Sequence, residues 1–144
     1  MTEATRTGDR CRSGNAIIGI GTDIVACQRI VKMLDKHDSA FLERVFTSVE
    51  RAYCCQHKHA HEHLAGRWAA KEAVLKALGT GWAHGIQWSD VEIENQPGGK
   101  PLVRLHGKAQ EIARQMRIGE ILISISHCRE YAVAFATALG EQDA

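Results

Sequence analysis

Long apolar runs are absent from this sequence. No stretch approaches the roughly 18 consecutive apolar residues that a membrane-spanning helix requires. Residues 1–15 also lack the apolar centre of a secretory signal peptide. We therefore expect a cytoplasmic protein with no membrane partner.

Paired cysteine motifs and a strong charge bias are also missing. The five cysteines form an odd set without a CxxC pair, which favours reduced thiols over a disulfide framework. Cys54 and Cys55 are expected to be packing or surface residues, because adjacent cysteines rarely bridge each other. The formal net charge is only +1, so we expect no nucleic-acid partner.

The length of the chain leaves room for one hydrophobic core. At 144 residues, we expect a polar, disordered tail over residues 1–15 and a single domain over residues 16–140. The run Ile17–Ile20 predicts a buried strand that ends at Gly21-Thr22-Asp23. The absence of an internal repeat excludes a solenoid.

Helices are expected to dominate the first half of the chain. The spacing of apolar residues predicts a helix soon after Asp23, and Asp38 with Ser39 predicts the start of a separate helix. Thr47 and Glu50 match a capping box, in which each side chain binds the other residue's amide.

The second half of the chain changes from helical to extended patterns. A long alanine-rich helix is predicted over residues 61–78, ended by Gly79-Thr80-Gly81. Strands follow at 86–94, 100–105, 121–126 and 131–138, with one more helix at 108–118. The expected fold class is therefore α+β, with helices packed on an antiparallel sheet.

The alanine-rich helix carries the most informative side chains. One apolar stripe consists of Leu64, Trp68, Leu75 and Leu78. Glu72 lies at the edge of that stripe, and Lys76 lies one turn further on the same side. An ordinary i,i+4 ion pair, worth about 0.2–0.5 kcal/mol, would explain both residues. Alanines on the neighbouring strip would let another group approach closely.

A second carboxylate makes a metal site conceivable. Asp23 and Glu72 come from different elements, and two such carboxylates can hold Mg²⁺ together with water and phosphate oxygens. The spacing in the sequence leaves open whether the two side chains meet.

Several short segments occur together in the order found in a known family. They are Ile18–Asp23, Arg44–Thr47, Leu64–Ala73, Lys76–Gly79, Gly99–Pro101 and Ser124–His127. In these segments the chain resembles the holo-acyl-carrier-protein synthases, the short type of 4'-phosphopantetheinyl transferase. The resemblance covers about residues 16–138 and implies the 4'-phosphopantetheinyl transferase fold in a single domain.

The resemblance implies an activity and partners. Members of this family transfer the 4'-phosphopantetheine group of coenzyme A to a serine of apo-acyl carrier protein, releasing adenosine 3',5'-bisphosphate. They serve fatty acid or polyketide biosynthesis. They form homotrimers with active sites at subunit interfaces, and we expect the same here.

The resemblance also implies roles for individual residues. The metal ligands fall on Asp23 and Glu72, with Mg²⁺ as the cofactor and Mn²⁺ as a substitute, and Lys76 matches the catalytic lysine. The base for the carrier-protein serine stays open among Glu72, Asp23 and a metal-bound water. Coenzyme A contacts are implied at Arg67, Lys76, Gly79, Gly81, Ser126 and His127.

Each of these contacts also has an ordinary structural explanation. Arg67 could be a solvated helix residue, Gly79 and Gly81 could simply end the helix, and His127 could be a hydrogen-bonded residue at a strand end. Arg29 and Met33 are implied to dock the acidic helix of the carrier protein, or could be an exposed arginine and a core methionine.

The histidine-rich segment 57–63 departs from the family pattern. His59 and His63 could chelate a transition metal from one helical face, or the histidines could simply be solvated. Two other functions therefore stay open, namely a non-catalytic module that binds coenzyme A or carrier protein, and a metal-storage or metal-sensing protein. The presence of Asp23, Glu72 and Lys76 favours the enzyme.

Overall fold

Helices precede most of the strands in the computed structural model, which describes residues 16–142. The tail predicted over residues 1–15 lies outside the described residues. The elements are β1 (Ile17–Ala26), α1 (Cys27–Val45), α2 (Ser48–Cys55), α3 (Ala60–Leu78), β2 (Val91–Asn95), β3 (Pro101–Leu105), α4 (Gly107–Gln115), β4 (Ile118–His127) and β5 (Tyr131–Gly140). A short 3₁₀ turn, Trp88–Asp90, precedes β2. Over these residues, no helix combines the length and the apolar character that crossing a membrane would need.

Two antiparallel sheets organise the strands. The larger sheet has the order β1-β5-β4, and β2 pairs with β3 in a separate hairpin. Helix α3 packs on one face of the larger sheet. The architecture confirms the expected α+β class with helices on an antiparallel sheet.

Small residues bring α3 into backbone contact with the sheet. The alanines that β5 turns toward the core are buried, as are the facing alanines of α3: Ala132, Ala134, Ala136 and Ala138 on the strand, and Ala65, Ala69, Ala73 and Ala77 on the helix. On β1, a Cβ atom at Gly19 would overlap the carbonyl oxygen of Ala77, and one at Gly21 would overlap that of Ala73. Only glycine fits at these two positions of the strand.

The first strand differs from the sequence interpretation in two ways. It continues to Ala26, so Asp23 lies inside the strand and not at its end. Its isoleucines are not buried, since Ile20 and Ile24 are each 62% exposed. The reason is the alternation of a strand: glycines occupy the face against α3, and the isoleucines therefore occupy the other face.

The predicted break between two helices after residue 37 is wrong. Helix α1 is continuous from Cys27 to Val45. Ile30, Phe41 and Val45 are all buried, so a single apolar face carries the helix past the polar residues around Ser39. The capping propensity of those residues is overridden by packing.

Other local predictions are confirmed. Thr47 and Glu50 form the capping box: the Thr47 amide donates to Glu50 Oε1 at 2.9 Å, and the Glu50 amide donates to Thr47 Oγ1 at 3.3 Å. The alanine-rich helix ends at Gly79, whose φ of 75° is left-handed. Strands β4 and β5 form the expected hairpin and are longer than predicted.

A buried ion pair ties α2 and α3 to the small hairpin. Lys71 Nζ lies 2.8 Å from Glu50 Oε1, and both side chains are fully buried. Lys71 also donates to the carbonyls of Trp88 and Val91, while Glu50 Oε2 accepts from the Ile93 amide at 3.0 Å. Burial lowers the pKa of Lys71, and the neighbouring Glu50 opposes that shift. Because each charge has several partners, the pair can exist without water.

The backbone contact between β1 and α3 yields a stability prediction. Gly21→Ala places a methyl group against the carbonyl oxygen of Ala73, and is expected to lower the free energy of unfolding by about 1–3 kcal/mol. Urea denaturation monitored by tryptophan fluorescence measures the change. Gly98→Ala is the matched control, since its added Cβ would meet nothing within 4 Å. Equal stabilities for the two variants would contradict the contact.

Candidate active site

The close approach of α3 and β1 brings Lys76 to Asp23. Asp23 follows Gly21 by two residues and so shares the helix-facing side of β1. Lys76 Nζ lies 3.1 Å from Asp23 Oδ1 and 2.9 Å from the carbonyl oxygen of Thr22. The Asp23 side chain is 20% exposed and the Lys76 side chain 54% exposed, so a substrate could reach both.

Glu72 lies one helical turn before Lys76 and has a different partner. Its Oε1 accepts a hydrogen bond from the indole Nε1 of Trp82 at 3.2 Å. The i,i+4 ion pair with Lys76 is therefore not the arrangement observed, because Lys76 pairs with Asp23 across the helix–strand contact. Lys76 thus contacts Asp23, and Glu72 lies one helical turn away on the same helix.

The donor set of this site fits a hard cation. Mg²⁺ typically takes one or two protein carboxylates and completes its shell with water and phosphate oxygens. Asp23 and Glu72 supply two such carboxylates, on elements in backbone contact. Within residues 16–142, no group of three or more His, Cys, Asp or Glu side chains could hold an ion. A closed four-ligand zinc site is therefore not built among these residues.

Trp82 is a residue of this site that the sequence interpretation missed. Gly79 and Gly81 adopt left-handed φ angles of 75° and 56°, and this turn returns the chain from the end of α3 so that Trp82 reaches Glu72. Both glycines are thereby accounted for as turn residues, and their surroundings are open. No local pattern in the sequence indicates a contact between Trp82 and Glu72.

Arg67 lines a cavity on another side of α3. It is only 4% exposed, which excludes a solvated helix residue. Its Cζ lies 4.3 Å from the centre of the Tyr53 ring, and Nη2 donates to Asn95 Oδ1. The Arg67 Nε is buried and has no hydrogen-bond partner. The cavity has a volume of about 150 Å³, and His63 and His127 also line it.

Ser126 and His127 are adjacent in β4 but point to opposite faces of the sheet. His127 lines the Arg67 cavity, and its Nδ1 lies 3.5 Å from Glu62 Oε2. Ser126 is paired with Val133 and belongs to the exposed face of the sheet, away from α3. Within one protomer the two residues do not share a site.

The histidine-rich segment contributes two rings to a stack of imidazoles. The rings of His57 and His63 are parallel within 20° at 3.9 Å, and His63 meets His127 edge-on at 4.9 Å. His59 is paired with His61 instead, at 6.1 Å. His59 is the residue before α3, which begins at Ala60, so His59 and His63 do not lie on one helical face.

The pKa of His63 is strongly perturbed. Burial lowers it to about 4, and His57, His127 and Arg67 act in the same direction by charge repulsion, while Glu62 acts weakly against them. His63 is therefore neutral at pH 7 in the free protein.

Arg29 and Met33 line a groove along α1. The groove has a volume of about 310 Å³ and also includes Arg44 and Trp68. The Arg29 guanidinium lies over the Trp68 ring, 4.6 Å from its centre. Met33 is partly buried and packs against the core, whereas Arg29 is exposed. The groove thus has an apolar floor and a cationic rim.

The three tryptophans connect this groove to Glu72. Trp68 contacts Trp88 edge-on at 5.9 Å, and Trp88 contacts Trp82 at 3.6 Å between ring centres. Trp82 in turn donates to Glu72. The aromatic cluster therefore extends from the cationic groove to the candidate metal ligand.

Comparisons with known proteins indicate a family for the whole domain. The model of the 4'-phosphopantetheinyl transferase superfamily matches residues 19–136. A holo-acyl-carrier-protein synthase of Protochlamydia amoebophila is 50% identical over 119 residues, which cover 83% of this chain and 95% of the relative. One from Rhodopirellula baltica is 43% identical over 120 residues, again 83% of this chain and 95% of the relative.

Solved structures give the same result. A holo-acyl-carrier-protein synthase of Plasmodium yoelii superposes with a TM-score of 0.77 at 37% identity, covering 90% of this chain and 99% of the other. A synthase of Bacillus anthracis, in complex with coenzyme A (3',5'-ADP), has a TM-score of 0.72 at 38% identity and covers 87% and 98%. This chain belongs to the 4'-phosphopantetheinyl transferase superfamily, and within it to the holo-acyl-carrier-protein synthase family of enzymes.

Proposed function

We propose that this enzyme transfers the 4'-phosphopantetheine group of coenzyme A to a serine of apo-acyl carrier protein, with Mg²⁺ as its cofactor. The observation that carries the proposal is the Asp23–Lys76 contact, with Glu72 one turn away on the same helix. The named activity of the relatives and the coenzyme A bound to the Bacillus anthracis synthase support it. Mn²⁺ should substitute, because it is also a hard, oxygen-seeking ion.

The two carboxylates would hold the cation, and Lys76 would act on the departing group. When bound, the cation offsets the charge of the coenzyme A pyrophosphate and makes the attacked phosphorus more electrophilic. The serine oxygen forms a bond to that phosphorus, and the bond to adenosine 3',5'-bisphosphate breaks. Lys76 stabilises the charge that grows on the leaving oxygen and can protonate it. The serine proton passes to a carboxylate, Asp23 or Glu72, or to water.

The Arg67 cavity would hold the 3'-phosphate of coenzyme A. A guanidinium makes bidentate contacts with phosphate oxygens, and the buried Nε of Arg67 lacks a partner. A buried donor without a partner costs about 1–3 kcal/mol, so an anion that pairs with it should bind favourably. His127 lines the same cavity and would contact the same phosphate.

The open face of the larger sheet supports a homotrimer. Large apolar side chains cover it: Ile20, Ile24, Leu122, Val133 and Phe135. The strand register places Leu122 and Ile20 on either side of Thr137, and Val133 beside Ile24. An apolar patch of this kind marks an interface, and we propose that neighbouring copies of the chain cover it. Ser126 also faces this side, where a neighbouring protomer could bring it to a coenzyme A site.

We further propose that the enzyme works in the cytoplasm and serves fatty acid or polyketide biosynthesis. The metal-storage alternative has little support, because His59 and His63 do not pair.

A direct experiment distinguishes the enzyme from a non-catalytic binding module. The protein is incubated with apo-acyl carrier protein, coenzyme A and Mg²⁺, and the carrier protein is weighed by mass spectrometry. An added phosphopantetheine mass supports the enzyme, whereas coenzyme A binding without any mass change supports the module.

Removal of either carboxylate should abolish transfer. Asp23→Asn and Glu72→Gln keep the size of the side chain but lose the charge that would hold the cation. We expect initial rates to fall by at least about 10²–10³-fold, the loss typical of removing one preorganised electrostatic group. Asp35→Asn, at an exposed position of α1, is the control. Near-normal turnover of Asp23→Asn or Glu72→Gln with Mg²⁺ would remove that residue from the metal site.

Trp82 should position Glu72 through its indole N–H. Trp82→Phe keeps an aromatic ring but removes the donor, so Glu72 loses one restraint on its orientation. A net hydrogen-bond contribution of about 1 kcal/mol predicts a roughly fivefold weaker affinity for Mn²⁺. Electron paramagnetic resonance of free Mn²⁺ measures that affinity without any substrate. Trp88→Phe retains the stacking partner of Trp82 and is the control, and equal Mn²⁺ affinities for both variants would refute the role.

Arg29 should matter for the carrier protein and not for coenzyme A. We expect Arg29→Glu to raise the apparent KM for acyl carrier protein several-fold at low salt, because it reverses a charge on the groove rim. The difference from wild type should shrink at high ionic strength, since salt screens rim charges. Initial rates with coenzyme A saturating provide the measurement, and Lys32→Glu on the same helix is the control. A defect confined to coenzyme A titrations would place docking elsewhere.

A further inference from the structure

Two rings of the histidine stack, His63 and His127, line the Arg67 cavity, and the proposed function uses only His127. His57 comes from the connection between α2 and α3, His63 from the first turn of α3, and His127 from the end of β4. Three separate segments therefore bring imidazoles together beside one buried guanidinium. The rings of His57 and His63 stack at 3.9 Å between their centroids.

The groups that face His63 include one guanidinium and two other imidazole rings. Arg67 lies one turn further along α3, and His57 and His127 contact the His63 ring directly. Tyr53 of α2 contributes a neutral ring at 6.1 Å. Glu62 is the acidic neighbour, and it is directed to His127 Nδ1. The cavity thus combines a guanidinium that has an unused donor with the imidazole rings of His63 and His127.

We propose that His63 is a phosphate-binding residue of the Arg67 cavity, and that it takes up a proton when a phosphomonoester binds there. The inference rests on the proposed function, because the phosphomonoester available to this site is the 3'-phosphate of coenzyme A. His57 supports the His63 ring by stacking. The histidine segment is then part of coenzyme A recognition and not an independent metal site.

Electrostatics give the direction of the effect. In the free protein, burial and the cationic neighbours hold the pKa of His63 at about 4. A phosphate dianion in contact with the ring favours the protonated form and raises that pKa. Binding is therefore coupled to proton uptake: the affinity is greatest below the free-state pKa, declines as the pH rises from the free-state to the bound-state pKa, and levels off above the bound-state pKa.

The pH range for a binding measurement is set by the ionisation of the phosphomonoester. The second pKa of a phosphomonoester is about 6, so the dianion is the main species above that value. Between pH 6.5 and 8, each proton taken up can change the affinity by up to about tenfold per pH unit. Dephospho-coenzyme A lacks the 3'-phosphate, so its binding should be independent of the His63 proton.

Isothermal titration calorimetry of the full chain tests the inference. Coenzyme A and dephospho-coenzyme A are titrated at pH 6.5 and 8.0, in two buffers with different ionisation enthalpies, which reports the number of protons taken up. For the wild type we expect tighter coenzyme A binding at pH 6.5, with uptake approaching one proton. Dephospho-coenzyme A should show neither effect.

Substitutions identify the residue that takes up the proton when coenzyme A binds. His63→Phe keeps an aromatic ring for the stack but cannot titrate, so coenzyme A binding should lose most of its pH dependence and proton uptake. His59→Phe, in the same segment but outside the stack, should behave like the wild type. A His63→Phe protein with wild-type proton uptake would overturn the inference, as would equal uptake with dephospho-coenzyme A.

A measurement on the unmodified protein keeps the result independent of how the variant folds. The imidazole C2 proton of His63 is followed by NMR as a function of pH, with and without adenosine 3',5'-bisphosphate. An upward shift of the His63 pKa on binding supports the inference, and an unchanged pKa overturns it. Transfer of phosphopantetheine by the wild type together with an unchanged pKa would reject the role of His63 alone, whereas absence of coenzyme A binding would reject the proposed function as well.

Discussion

The contact between the backbones of α3 and β1 is the constraint on which the candidate active site depends. Gly19 and Gly21 allow the strand to touch the carbonyl oxygens of Ala77 and Ala73 directly. Two residues beyond Gly21, Asp23 is then within reach of Lys76. Any side chain at Gly21 would push the helix away and separate the two. The same alternation sends the isoleucines of β1 outward, so one local constraint places the candidate site on one face and an apolar surface on the other.

Most residues of helix α3 are buried, and its side chains reach several separate sites. Arg67 reaches the small cavity beside Tyr53, Trp68 forms the floor of the Arg29 groove, and Lys71 is anchored on Glu50 inside the protein. Glu72, the candidate metal ligand, and Lys76, the proposed catalytic lysine, follow in the next part of the helix. The buried ion pair matters here because it fixes the rotation of the helix about its axis. That rotation decides which cavity each side chain enters.

The parts of this arrangement that sequence could predict are local. The capping box of Thr47 and Glu50, the glycine stop of α3 and the β4–β5 hairpin depend on residues close together in the chain, and each is confirmed. The helix break near Ser39 was wrongly predicted, because a capping preference worth about 1 kcal/mol is weaker than a continuous apolar face.

The contacts that sequence could not predict are those between distant residues. The indole of Trp82 binds Glu72 across a turn, and His63 stacks on His57 and not above His59. The family resemblance pointed to Asp23, Glu72 and Lys76 together, while the helix–strand contact supplies the physical reason for the contact between Asp23 and Lys76.

The central claim is that Asp23 and Glu72 share one cation across the contact between β1 and α3. Crystals grown with Mn²⁺ and coenzyme A test it directly, because Mn²⁺ scatters anomalously and can be located without reference to the protein. We expect one strong anomalous peak, which marks a Mn²⁺ ion coordinated by oxygens of both carboxylates and of the coenzyme A pyrophosphate. A peak at the histidine stack, or a peak bound by neither carboxylate, would contradict the account.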